Sequence, residues 1–472
     1  MKKFFCIICI LGLTIGAFIT GNYYLKRFSE EADAQKTDTL IAGDICPIDE
    51  EYMQYYGLKD FTSDLPILQI DTDGEQIVKE KETWGRIGII DGGDGNSTVG
   101  DGFDARLYCT VKLRGASSYS GFDKPQYRLT LYREENGKKM DYALCGMAAD
   151  SGWVLYGPFL DKTMVRNALV YQLGQGLEVW APDTRFAEVF ENGLYRGIYL
   201  VVQPVTESKS HLNLSDYGLA SGQTAYIVKR DRVGTEVNVL HTWGERMGYT
   251  LNELSVSYPT QSKLTTLQMN WIDEDISSFE EALYSDNFAD AELGYAKYID
   301  VDSFVDYYVL NEAVLNHDAG ILSTYYYKEL GGKMKMAMWD YNNAFDNYQW
   351  FIMEADEFHL NEASPWFNRL LQDRNFVDKV CARYHALRQG ELSTAALYRF
   401  IDETEVMLKE AAVRNDKIWG YTFEINLLTN FEGIQRNPAT RQEAISQLKT
   451  VIRERFAFLD SHIEELYADC IN

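Results

Sequence analysis

The sequence predicts an α+β protein with a β-rich first half and a helical second half. Between residues 65 and 205, short alternating or β-branched runs are bounded by Gly, Asp and Asn. Beyond residue 277, apolar residues recur at helical spacing. A polar hairpin set between helices, residues 317–347, suggests two lobes and a cleft. The 472 residues are 46% hydrophobic and 14% aromatic, with 32 Tyr, enough for substantial cores. A formal net charge of −26 repels phosphate backbones, so nucleic acid is not an expected partner.

The elements follow in chain order. After Lys2 and Lys3, residues 4–25 carry no charge, and Lys26 and Arg27 close the run. Its length matches the roughly 20 residues that cross a bilayer as a helix. Residues 1–27 are therefore expected to be a membrane anchor or signal segment. An uncleaved transmembrane helix is favoured, because the cleavage-like Ala32-Asp33-Ala34 lies far beyond the apolar run. The membrane is then one partner, and the protein is expected at the cell membrane, single-pass, with its folded domain extracytoplasmic. Residues 28–60 read as a polar, acidic stalk.

Strands are expected at LPILQID (65–71), RIGIID (86–91), ARLYCTVKLRG (105–115) and PQYRLTLYRE (125–134). DKTMVRNALVYQLGQGL (161–177) has helical spacing with Asp161 as its cap. RFAEVFENGLYRGIYLVVQPV (185–205) reads as two strands joined at Asn192-Gly193, a strong hairpin signal. These make a β-rich N-lobe over 61–205. Helices at 277–286, 301–317 and 364–389 surround the hairpin in a C-lobe over 206–395. Helices at 393–415 and 440–468 build a C-terminal extension over 396–472. The seven cysteines have no C-x-x-C pair outside residues 4–25, so neither a disulfide framework nor a zinc site is expected.

The hairpin holds the chemistry. It reads HDAGILSTYYYKELGGKMKMAMWDYNNAFDN. With Gly331-Gly332 as a two-residue turn, Leu330 faces Lys333 and Ser323 faces Asp340. Tyr325, Tyr327, Met336 and Met338 then form an apolar face, and Asp318 lies just before the first strand. Asp318, Ser323 and Asp340 are thus expected to converge, where a hard cation could sit on one or two carboxylates. As simple turn chemistry, the same aspartates would only end a helix and a strand. A carboxylate, a polar residue five positions on, a hairpin and a second carboxylate is the layout of a kinase catalytic segment.

The chain resembles the CotH kinase family, atypical protein kinases related to spore coat protein H. The resemblance runs over about 65–390 and is carried by 111–132 (VKLRGASSYSGFDKPQYRLTLY), 152–174, 185–205, 316–328 (NHDAGILSTYYYK) and 336–347 (MAMWDYNNAFDN). It implies a two-lobed, kinase-like fold and transfer of the ATP γ-phosphate to Ser or Thr of exported, surface or coat proteins. It also implies dependence on Mg²⁺ or Mn²⁺. By the same resemblance Asp318 is the catalytic aspartate and Asp340 the metal aspartate, with Ser323 and Asn342 as further ligands. Arg114-Gly115-Ala116-Ser117-Ser118 resembles the family's small-residue loop, whose N–H groups and hydroxyls could lie over phosphates.

Lys124, Lys162 and Arg166 could each meet a phosphate. Arg166-Asn167 is the stronger candidate, since a cation in the first turn of a helix calls for a nearby anion. The chain departs from the family at three positions: Ser323 where Asn is frequent, Asn342 where Asp is frequent, and Gln203 where Glu is frequent. Each swap weakens charge or ligation, so a pseudokinase serving as a surface binding or assembly module is the alternative. A sugar hydrolase using Asp318 and Asp340 as an acid/base pair is a third reading.

Overall fold

The structure, a computed structural model, describes residues 40–58, 61–92, 97–99, 102–232, 238–249, 253–360 and 364–472. The expected membrane span at 4–25 lies outside them. Among the described residues, no helix is long and apolar enough to cross a membrane. The fold is mixed α+β, as expected. The described residues form two compact units: those up to Leu113, with Arg128–Gly152 and Ala187–Tyr195, make the first, and Arg114–Tyr127, Trp153–Phe186 and Arg196–Asn472 the second.

In the first unit, helix α1 (Glu50–Tyr55) is capped by Asp49, whose side chain accepts from the N–H of Tyr52. Met53 and Leu58 are buried, and the Tyr52 hydroxyl donates to the carbonyl of Tyr195. From residue 40 onward, therefore, the expected stalk is folded structure. Apolar side chains among its acidic residues give it a face to bury. Strands β1 (Thr62–Ser63) and β4 (Ser97–Thr98) pair with each other. The fully buried β2 (Ile67–Asp71) lies antiparallel to β3 (Thr83–Ile90). On its other edge β2 runs parallel to β8 (Thr184–Glu191) along residues 188–191. Strand β5 (Ala105–Leu113) is antiparallel to β3.

β6 (Tyr127–Tyr132), β7 (Gly152–Tyr156), β8 and β9 (Leu194–Val202) contribute residues to both units, with β7 antiparallel to β9. The turn between β8 and β9 is Asn192-Gly193, as the dipeptide predicts.

The second unit carries the site. Between β5 and β6 comes one short helical turn, α2 (Ser117–Gly121). Helix α3 (Arg166–Gly174) is buried on nearly every side. A four-stranded sheet has the order β11-β10-β12-β13, from β10 (Tyr226–Arg230), β11 (Leu254–Tyr258), β12 (Thr324–Lys328) and β13 (Lys335–Ala337). After the short α4 (Trp243–Arg246) comes α5 (Thr266–Tyr284), which begins eleven residues before the expected 277. Its start is a capping box of Thr265 and Gln268.

Helix α6 (Val301–Ala313) is capped by Asp300 and ends before the expected 317. The expected helix at 364–389 is two, α7 (Pro365–Leu370) and α8 (Arg374–Arg388), because Asp373 caps a new start. α9 (Thr394–Trp419) and α10 (Arg441–His462) follow towards the C-terminus.

The hairpin register is one residue from the expected one. The observed partners are Tyr325 with Ala337, Tyr326 with Met336 and Tyr327 with Lys335. The N–H of Gly332 bonds the carbonyl of Glu329 at 2.9 Å, so Leu330 and Gly331 are the central turn residues. Gly331 alone of the glycine pair has positive φ, +78°, at the position a type II turn reserves for glycine. The one-residue slip moves Met336 onto the buried face of Tyr326 and away from Tyr325 and Tyr327.

Candidate functional site

Asp318 lies in the turn between α6 and β12, and Asp340 three residues after β13. The two strands end at Thr324 and Ala337, so ladder pairing does not bring Ser323 and Asp340 together. Backbone strain does. Both residues have positive φ, 47° and 65°, a conformation that costs non-glycine residues of order 1 kcal/mol or more. Among the described residues ten non-glycines have positive φ, and five of them (Leu315, Ser323, Asp340, Phe345 and Asp346) fall within this one segment. The Ser323 hydroxyl donates to Asp340 Oδ2 at 3.4 Å. Ser323 and Asp340 therefore meet through bent strand ends.

Asp318 is buried. Its Oδ2 accepts from Asn343 Nδ2 at 3.2 Å, while its Oδ1 is buried with no hydrogen-bond partner. Asn342 turns its amide to Asn343 Oδ1 at 2.9 Å, so Asp318, Asn343 and Asn342 form a chain of side chains. Asn316, two residues before Asp318, donates to Asn311 Oδ1 at 2.8 Å and leaves its own Oδ1 buried without a donor.

Desolvation pushes the Asp340 carboxyl up to about 6, and the negative charges of Asp318 and Asp231 add to it; the Arg114 guanidinium and the Ser323 hydroxyl oppose the rise. Burial also raises Asp318, with Asn343 and Arg232 pulling the other way. Burial is thus the main reason both carboxyls hold their protons more tightly than exposed ones. Arg114 is fixed 5.2 Å above the Trp339 ring, with Nη1 donating to Gln126 Oε1 at 3.2 Å.

Helix α3 holds the backbone that carries Asp340. The Tyr171 hydroxyl accepts from the N–H of Asp340 at 3.0 Å, and Asn167 Oδ1 accepts from the N–H of Tyr341 at 2.7 Å. Arg166 Nε donates to the carbonyl of Ala344 at 2.8 Å. The anion that Arg166 calls for is internal: Asp161 accepts from its Nη1 at 2.6 Å and from its backbone N–H at 2.9 Å. Asp161 thus ties the start of the helix five residues ahead of its first turn, and α3 begins at Arg166. From the carbonyl side, Val314 at the end of α6 accepts from the N–H of Phe345 at 2.6 Å.

The other sequence candidates are placed as follows. Ser117 is exposed and Ser118 half-buried on α2; a Cβ on Gly115, whose φ is +104°, would meet Ser118 Oγ at 2.1 Å, so this loop requires glycine. Lys124 is fully buried, donating to the carbonyl of Ile198 at 2.7 Å and Asn415 Oδ1 at 2.8 Å. Lys162 is buried with its amine 3.5 Å from the carbonyl of Pro438. Gln203 Oε1 accepts from the N–H of Asp183 at 2.9 Å, a structural bond.

The structure therefore gathers Asp318, Ser323, Asp340, Asn342, Arg114 and Asn167 in one neighbourhood, and gives Lys124, Lys162 and Arg166 other partners. Sequence reasoning missed Asn343, Tyr171 and Trp339. Tyr171 stands four residues after Asn167, on the same helical face, and that spacing was a usable signal.

A buried carboxylate with one oxygen unpartnered, and a second carboxylate at positive φ bonded by a serine hydroxyl, distinguish this segment from a plain turn. The chain belongs to the CotH kinase family: the family model described as CotH kinase protein matches residues 111–459. The match takes in the C-terminal helices, beyond the 390 at which the sequence resemblance was expected to end. No curated protein matches the chain at a significant level. Among solved structures, a chain of the Shewanella oneidensis MR-1 toxin–antitoxin HipA, HipB and operator DNA complex matches with 14% identity over 75% of this chain and 70% of that chain, at a TM-score of 0.27. That level of similarity does not establish a shared fold.

A kinase family implies ATP and a divalent metal, and the donor set can be tested for fit. Asp340, Ser323 Oγ and the unpartnered Oδ1 of Asp318 are hard oxygen donors. Among the described residues, no group of three or more His, Cys, Asp or Glu could hold a metal ion. Magnesium commonly takes only one or two carboxylates and completes its shell with water and phosphate oxygens. The residues fit that mode.

Proposed function

We infer that this protein is an ATP-dependent protein kinase acting on Ser or Thr hydroxyls of exported or surface proteins. The observation that carries the reading is Asp318: a buried carboxylate with one oxygen tethered by Asn343 and the other without a partner, beside Asp340. The free Oδ1 would accept the hydrogen bond of an acceptor hydroxyl and take its proton as the new phosphorus–oxygen bond forms and the bond from the γ-phosphorus to the bridging oxygen breaks, releasing ADP. Asp340, with Ser323 and Asn342 near it, would hold Mg²⁺ or Mn²⁺; when bound, the metal neutralises charge on the phosphate oxygens. Arg114, locked over Trp339, would present a fixed cation to the nucleotide. The α3 contacts hold the backbone at 340–345 rigid, and in-line transfer depends mainly on such positioning.

The test is incubation of the protein with γ-labelled ATP and Mg²⁺ or Mn²⁺, using its own chain and a mixed bacterial protein pool as acceptors. Label transfer should fall by about a hundredfold or more in Asp318→Ala and in Asp340→Ala. Nucleotide binding without any transfer in the native chain would instead identify a pseudokinase. That reading draws on the neutral side chains at Ser323 and Asn342. We also infer that residues 4–25 anchor the chain, with the folded domain outside the cytoplasm. Protease added to intact cells should then digest that domain, and full protection would reject this placement.

A further inference from the structure

A cavity of about 340 Å³ is lined by residues from three stretches: Lys162 and Arg166, Phe345 to Asn347, and side chains between 427 and 451. None of Arg114, Asp318, Ser323, Asp340 or Asn342 lines it. Its charges do not cancel. Arg166 is neutralised by Asp161 at 2.6 Å and Arg436 by Asp346 at 2.9 Å. Lys162 has no carboxylate partner among the described residues; its contacts are the Pro438 carbonyl at 3.5 Å and the Phe423 ring at 5.4 Å. It is only 7% exposed. Arg436 is 5% exposed, and its Nε is a buried donor with no acceptor.

A buried ammonium without an anion is costly, and a buried N–H without an acceptor adds to that cost. Both belong to the same cavity wall. We propose that this cavity is a binding site for a small molecule bearing one oxyanion group, phosphate or carboxylate, seated on the Lys162 ammonium. The volume lies within the roughly 300–1,000 Å³ of small-molecule sites, more than a bare anion fills. Leu160, Leu427 and Leu428 supply apolar wall for an organic body. Burial without an acid partner lowers the Lys162 ammonium to about 8, and a bound anion would raise it again. Two wall residues, Arg166 and Asn347, also hold the Asp340 segment, through the carbonyls of Ala344 and Asn342.

The test needs neither ATP nor metal, so it stands or falls apart from the kinase reading. The full-length chain is titrated with inorganic phosphate, glucose 6-phosphate and succinate at constant ionic strength, by calorimetry. In parallel, the rate at which acetic anhydride modifies Lys162 is followed by mass spectrometry. At least one probe should saturate a single site and slow modification of Lys162 in the native chain. Lys162→Met should weaken that binding about tenfold or more, as loss of one charge-assisted bond predicts, and Asp340→Asn should leave it unchanged. Saturation by the phosphates alone, or by succinate alone, assigns the anion class. If no probe saturates up to about 10 mM, or if binding leaves Lys162 equally reactive, the proposal is wrong. The reactivity measurement decides even if the Met variant does not fold.

Discussion

Asp318 owes its orientation to a residue that looks like filler. Asn343 holds one carboxylate oxygen and is itself held by Asn342, so the unpartnered oxygen is aimed by a two-asparagine relay. In the proposed reaction, Asn343→Ala should lower kcat by about ten- to a hundredfold with little change in KM for ATP, in steady-state kinetics. A raised KM for ATP together with a lowered thermal midpoint in Asn343→Ala would point to collapse of the turn instead. Lys162 gives a test by pH. Its pKa falls from 10.5 to about 8 on folding, so between those values the unfolded chain binds more protons, and stability rises with pH across the window. Lys162→Met removes that dependence. It should stabilise the protein by ~1–3 kcal/mol at pH 7, with the advantage shrinking towards pH 10.5 in urea unfolding series. Asp318, Ser323 and Asp340 were legible in the sequence because two carboxylates bracket an otherwise apolar hairpin. Asn343 was not, because an asparagine in a turn has an ordinary explanation.

At the scale of elements, α3 is a clamp on the segment after β13. The sequence shows a helix there and a cation at its start, and Arg166 does have an anion beside it. The anion, however, is Asp161, five residues earlier in the same chain. Periodicity reports which residues form a helix, not which backbone the helix grips, and so a structural arginine resembled a phosphate ligand. The hairpin shows the same limit. Its existence was legible from Gly-Gly between alternating runs, yet which glycine takes positive φ depends on the turn type, and a one-residue slip changed every partner. Removing one member of the Asp161–Arg166 pair leaves a buried charge. Arg166→Met should therefore cost about 3–5 kcal/mol, while the double variant Asp161→Asn, Arg166→Met should cost less than the two single changes together. Strict additivity in denaturant titrations would mean the two side chains do not act as a pair.

At the scale of the molecule, the C-terminal helices are part of the second unit rather than an appendage. Their amphipathic faces were legible from spacing, but what those faces cover was not, because docking partners lie hundreds of residues away. Asn415 on α9 accepts from the buried Lys124, and Trp419 donates to the carbonyl of Arg196 at 2.9 Å. Arg455 on α10, fully buried, pairs with Glu312 on α6 and also donates to its carbonyl and to those of Ala355 and Glu357. Glu312 in turn accepts from the N–H groups of His359 and Leu360 at 2.9 Å each. The last turn of α6, which leads into Asp318, is thus fixed by a helix more than 140 residues further along. Truncation after residue 395 would remove Asn415 from the buried Lys124 and Arg455 from the buried Glu312, and would expose the apolar faces that α9 and α10 cover. A buried carboxylate left without its arginine alone costs about 3–5 kcal/mol, a large share of the roughly 5–15 kcal/mol that holds a folded chain together. The truncated chain should show no cooperative thermal transition, whereas Arg455→Met should keep one at a lower midpoint. A truncated chain that unfolds cooperatively near the native midpoint would show that the unit closes without these helices.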